Sequence, residues 1–130
     1  MNPFRRMQQA GITLAFGSDS PITPVDPWGA VLAATRHHRP DEQMTTAAAF
    51  EAHTLGGHRA RGDDQAGALA PGMPATYAVW NVPGGLDDAG LPMLRDAQAL
   101  PVCVETVVAG VTVFAPDAAS SAVAFGEEPI

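Results

Sequence analysis

The chain has 130 residues, 46% apolar and only 16% charged, which is enough for one packed domain and too apolar for disorder throughout. Fourteen acids against seven arginines and no lysine give a net charge of −7. With no basic stripe, this excludes the electrostatic footprint of a nucleic-acid binder.

The first predicted element is a helix over Asn2 to Ala10, ended by Gly11. Ile12 to Phe16 then reads as a short buried strand. Its large residues (Ile12, Leu14, Phe16) alternate with small ones (Thr13, Ala15, Gly17), and Asp19 falls on the small-residue face if extension continues. Ser20 to Pro27 is a loop with three prolines. Asp26 caps a helix with Pro27 at its first position, and Trp28, Val31, Leu32 and Thr35 give it one buried stripe. His37 to Asp41 ends that helix, with Pro40 blocking continuation. Thr45 or Thr46 caps the next one, which Gly56-Gly57 weakens by roughly 1 kcal/mol per glycine relative to alanine.

From Gly67 the pattern turns to β. Ala75 to Val82 is rich in strand formers. Residues 83–101 read as a long loop, and Val102 to Val108 and Val111 to Phe114 as two strands that Ala109-Gly110 turns into a hairpin. The segment from Pro116 to Ile130 is small and acidic, and is expected to be loosely held. Charge follows the same division: residues 1–65 carry seven acids and six arginines, whereas residues 66–130 carry seven acids and one arginine. One buried strand cannot make a parallel sheet, and three strands have little to cover them. The expected fold class is therefore α/β plus β, incomplete as a stand-alone fold and resembling the end of a larger protein.

Gly17-Ser18-Asp19-Ser20-Pro21 stands at the carboxyl end of the expected strand, where ligands gather in α/β folds. A carboxylate beside a glycine there suits a divalent metal or a proton acceptor for water. It equally suits a turn that Asp19 merely caps. Ser18 and Ser20 have no base at a recognised spacing, which leaves a serine nucleophile unsupported. Trp28 is either a helix-anchoring core residue or, like Ser20, near the substrate. His37 and His38 are adjacent and cannot share a helix face, so they are read as solvated or capping. His53 is expected to hydrogen-bond between packed helices, and His58 to be solvated. The pairs Asp63-Asp64 and Asp87-Asp88 are read as solvated, and the lone cysteine, Cys103, as a small buried apolar residue. That lone cysteine also excludes an internal disulfide and suits a reducing compartment. No apolar run approaches the ~18 residues of a membrane span. The expected location is cytoplasmic, with no nucleic-acid or membrane partner.

Taken in order, Gly17-Ser18-Asp19-Ser20-Pro21, Asp26-Pro27-Trp28, Phe50-Glu51-Ala52-His53-Thr54 and Gly67-Ala68-Leu69-Ala70-Pro71-Gly72-Met73-Pro74-Ala75 resemble the C-terminal end of an amidohydrolase. The branch they resemble most is amidohydrolase family 3, the YtcJ-like metal-dependent hydrolases. The resemblance implies a (β/α)8 barrel with a metal site at its mouth and a small composite β-sandwich. It makes residues 1–66 the last barrel strand (11–19) with its following helices (27–38 and 45–62), residues 67–115 the returning sandwich strands, and 116–130 a tail. It assigns Asp19 as metal ligand and catalytic base, the metal being divalent and expected to be zinc. The family's first-strand His-x-His, its bridging Lys or carboxylate and its further His ligands are absent, and Ala75-Thr76 stands where Ala-Asp is usual. The expected function is that of the C-terminal segment of an enzyme hydrolysing an amide-type C–N bond in a small molecule, inactive alone. Its partner is the missing barrel portion or a second copy. The alternative is a non-catalytic remnant acting as an interaction module.

Overall fold

The computed structural model describes residues 2–94 and 100–116. The expected tail beyond Pro116 lies outside the described residues. Four helices precede a three-stranded antiparallel sheet.

Helix α1 (Phe4–Gln9) stops where expected: Gly11 takes a left-handed φ of 76° and its N–H bonds Gln8 O at 2.9 Å. Residues 12–18 run extended but enter no ladder with any described strand. Their burial alternates as the sequence implied, with Leu14, Phe16 and Ser18 half-buried and Thr13, Ala15, Gly17 and Asp19 exposed. The expectation of a buried strand is corrected in one respect, because Ile12 is 49% exposed. No described element covers the second face.

Helix α2 (Pro27–Thr35) starts at Asp26, whose carboxylate accepts from Gly29 N at 2.9 Å. It ends three residues before the expected limit at 38. A 3-10 turn at Pro40–Glu42 follows. Helix α3 (Thr46–His53) is capped by Thr45, whose hydroxyl accepts from Ala48 N at 3.2 Å. The helix expected over 45–62 is two pieces. The break falls at Thr54 (φ −110°, ψ −90°), ahead of the glycines, and α4 (Leu55–Ala60) continues at a new angle. Gly56 allows that approach, since a Cβ there would overlap the Leu14 carbonyl. Phe16 N donates to Ala52 O at 3.0 Å, tying the extended segment to α3.

The core lies in this helical half: Trp28, Val31, Ala34, Met44 and Ala49 are buried together. Trp28 stacks on Phe50 (5.5 Å, 16°) and meets Trp80 edge-on (5.9 Å, 89°). Aromatic pairs of this kind contribute about 0.5–1.5 kcal/mol beyond the area they bury. Glu42, with no exposed surface, anchors α1: Arg6 donates its backbone N–H to one carboxylate oxygen at 3.3 Å and its Nε–H to the other. Burial by itself pushes the Glu42 carboxyl up, but the Arg6 backbone N–H and guanidinium outweigh it and hold the group below its ordinary value.

Strand β1 (Tyr77–Asn81) pairs with β2 (Val102–Val108), and β2 with β3 (Val111–Phe114), each pair carrying one register shift. The hairpin forms at Ala109-Gly110, where both residues have positive φ (49° and 80°), as a two-residue turn requires. The loop between β1 and β2 includes one bridge, Leu86 with Pro92. Asp87 is no mere solvated charge, since its carboxylate accepts from Ala89 N and Leu91 N, both at 2.9 Å.

Candidate functional site

The extended segment delivers its C-terminal end to a tight turn at Asp19. Asp19 adopts φ 55°, a left-handed conformation that Asp tolerates better than most residues. Three hydrogen bonds close the turn: Ile22 N to Asp19 O at 2.9 Å, Ser20 N to Ser18 Oγ at 3.2 Å, and the Thr23 hydroxyl to Ser18 O. All lie within residues 18–23. They leave the Asp19 side chain exposed and with no hydrogen bond or ion pair among the described residues. The turn-capping role open to Asp19 in the sequence therefore falls instead to Ser18 and Thr23. Thr23 carries no catalytic signature and was legible only as loop sequence.

Beside this turn a cleft of about 410 Å³ opens between the 17–27 loop, α2 and the end of α3. Ser18, Pro24, Val25, Asp26, Ala30 and His53 line it. His53 departs from its expected hydrogen bond between helices. Its ring meets Phe16 edge-on (5.5 Å, 72°), and Nε2 is sealed with no hydrogen-bond partner among the described residues. Burial holds its pKa below the ordinary value of 6.5, so the ring is neutral at pH 7. Ser20 is exposed next to Asp19. Trp28 is in the core, 4% exposed, and is not part of the cleft wall.

The remaining histidines lie elsewhere. His37 packs edge-on against Phe4 and accepts from Arg39 N at 3.2 Å through Nδ1, and His38 lies against it. His58, expected to be solvated, is half-buried 3.3 Å from Asp63. Asp63 is likewise engaged: the Arg61 guanidinium at 2.7 Å, then Gln65 N and His58, keep its carboxyl below the usual range. Cys103 is half-buried within β2, with Glu105 O and Thr106 Oγ1 each 3.4 Å from its sulfur.

Among the described residues no group of three His, Cys, Asp or Glu side chains could hold a metal ion. Asp19 is one open carboxylate where a catalytic zinc takes about three protein ligands. These residues alone do not fit a metal.

The sequence model of the amidohydrolase family matches residues 1–114. The chain belongs to the amidohydrolase family. No curated protein matches it. A solved structure of a mutant of atrazine chlorohydrolase TrzN from Arthrobacter aurescens TC1, complexed with zinc and atraton, is similar to it, with a TM-score of 0.64 and 23% identity. The similarity covers 87% of this chain and 27% of that one, so the chain spans just over a quarter of that protein's length. At this identity the likeness concerns fold: the four helices and three-stranded sheet correspond to part of an amidohydrolase. This agrees with the family read from the motifs around Asp19, Trp28, His53 and Gly67.

Proposed function

We propose that the chain is the C-terminal segment of a metal-dependent amidohydrolase acting on an amide-type C–N bond of a small molecule, and that it is inactive alone. The observation that supports this most is the Asp19 turn. It closes on its own hydrogen bonds, yet it leaves the carboxylate unpaired at the end of an extended segment whose small-residue face is uncovered. In this reading residues 11–19 are the last barrel strand, and the exposed Thr13, Ala15 and Gly17 face the barrel interior. Residues 1–66 then complete the barrel and 67–115 contribute to the composite sandwich.

In the intact enzyme Asp19 would be one carboxylate ligand of a divalent metal, zinc, which would supply activation of water, and Asp19 would accept that water's proton. The other ligands belong to segments outside the described residues. The neighbouring structure, solved with zinc and a small molecule, is consistent with a metal and a small-molecule substrate for the intact enzyme. Ser20 flanks the carboxylate, and Trp28 anchors α2 in the core.

Two measurements test this. In an enzyme carrying the whole barrel, Asp19→Asn is expected to lower turnover by at least about 10²-fold, the scale of losing a positioned acid–base group. Wild-type rates would remove Asp19 from the mechanism. Zinc titration of the 130-residue chain is expected to show no stoichiometric binding, and one tightly bound ion per chain would replace the shared site with a self-contained one. The exposed apolar sheet supports a second reading, a non-catalytic interaction module. A cooperative melt of a monodisperse monomer without zinc affinity, together with an inert Asp19, would favour it.

A further inference from the structure

Among the described residues two that are not glycine take a left-handed φ, Asp19 at 55° and Ala109 at 49°. The hairpin between β2 and β3 accounts for Ala109. No strand pairing accounts for Asp19, and its own side chain makes no hydrogen bond among the described residues that would hold it there. The conformation is disfavoured for a residue with a Cβ, so the peptide groups on either side impose it. The peptide after Asp19 is gripped twice: Asp19 O accepts from Ile22 N at 2.9 Å, and Ser20 N donates to Ser18 Oγ at 3.2 Å. The peptide before it is gripped at Ser18 O, which accepts from the Thr23 hydroxyl. Peptide groups are rigid planes, so turning that plane carries the φ of Asp19 between the left-handed and right-handed regions. Thr23 precedes Pro24, which biases its backbone toward the extended region and fixes the side from which the hydroxyl approaches. With both planes held, the Cα–Cβ direction of Asp19 is set, although nothing described touches the carboxylate itself.

We infer that Thr23 is a positioning residue for the Asp19 carboxylate: its hydroxyl, acting through Ser18 O, keeps Asp19 left-handed and so aims the side chain out of the turn. The consequence for turnover rests on the reading of Asp19 as proton acceptor proposed above. The coupling of Thr23 to the Asp19 backbone does not.

The 15N,13C-labelled 130-residue chain reports the coupling directly, because a left-handed φ brings the N–H and Hα of Asp19 close and gives a strong cross-peak between them. Thr23→Val keeps the branched shape and removes the donor. It is expected to lower the left-handed population relative to its alternatives about three- to tenfold, the usual worth of one hydrogen bond, and to weaken that cross-peak while signals from α2 and α3 stay in place. Thr23→Ser keeps the donor and is expected to restore the cross-peak. In an enzyme carrying the whole barrel, Thr23→Val is expected to lower kcat by about the same three- to tenfold with KM unchanged, and Thr23→Ser to return it. A full Asp19 cross-peak in Thr23→Val, or a weak one in Thr23→Ser, overturns the coupling. A raised KM with kcat unchanged also overturns the positioning role, since it would put Thr23 on the substrate. Failure of the Asp19 reading looks different: Asp19→Asn would then turn over at the wild-type rate, and the cross-peak would still decide the coupling. If Asp19→Asn is inactive and Thr23→Val turns over normally, Asp19 stands and the role of Thr23 falls.

Discussion

The helical half and the sheet differ in how well each covers itself. Residues 2–66 bury Trp28, Val31, Leu32, Ala34, Met44, Ala49 and Ala52, along with the carboxylate of Glu42. In the sheet Val107 is buried, whereas Val79, Val102, Val104, Val108, Val111, Val113 and Phe114 are all exposed. An amphipathic helix needs only another helix to hide its apolar stripe. A sheet has two faces, and a three-stranded one with valines on both needs two covering layers. Trp80 against Trp28 supplies part of one. In this chain, then, the helices carry the stability and the sheet presents a surface.

The contrast is tested most strongly at its hinge. Trp28→Ala removes the ring that joins α2, Phe50 and Trp80, and is expected to cost about 3–5 kcal/mol in denaturant unfolding. A loss below ~1 kcal/mol would mean that the helical core does not hold the chain. Gly56→Ala forces a methyl against the Leu14 carbonyl and is expected to cost about 1–3 kcal/mol, with faster amide exchange at Phe16 where the extended segment meets α3. Thr45→Ala loses the α3 cap and is expected to cost about 1 kcal/mol.

A pH series sharpens the role of His53. Its folded pKa lies below the unfolded 6.5, so the unfolded state takes up the proton first as the pH falls. The stability it contributes is complete above 6.5 and is lost as the pH drops from there through the lower folded value. His53→Phe is expected to flatten that part of the profile in melts between about pH 5 and 7.5, relative to the parent chain. An unchanged slope would place the imidazole in water. The smallest effect is expected in the sheet. Val113→Thr, at a position 60% exposed, should change stability by less than about 0.5 kcal/mol while reducing self-association in sedimentation.

Much of the architecture is legible in the residues. Gly11, Asp26-Pro27, Thr45 and Ala109-Gly110 end or start their elements where chain chemistry dictates, because caps and turns depend on a few consecutive residues. The alternation over residues 12–18 likewise gives the correct exposed face, with Asp19 on it. Less legible was the break at Thr54. It falls ahead of Gly56 because Gly56 is set by contact with Leu14, more than forty residues away. His58 and Asp63 read as solvated because their pairing depends on the loop that follows α4.

The sequence by itself determined the family, the order of elements and the position of one open carboxylate, since ordered short motifs and local periodicity survive without neighbours. Only the tertiary structure decided what surrounds them. It sealed Trp28 in the core, left His53 Nε2 without a hydrogen-bond partner among the described residues at the edge of a cleft, and gave the task of closing the Asp19 turn to Ser18 and Thr23. Burial and hydrogen-bond partnership depend on which distant residues meet, and no local pattern specifies that.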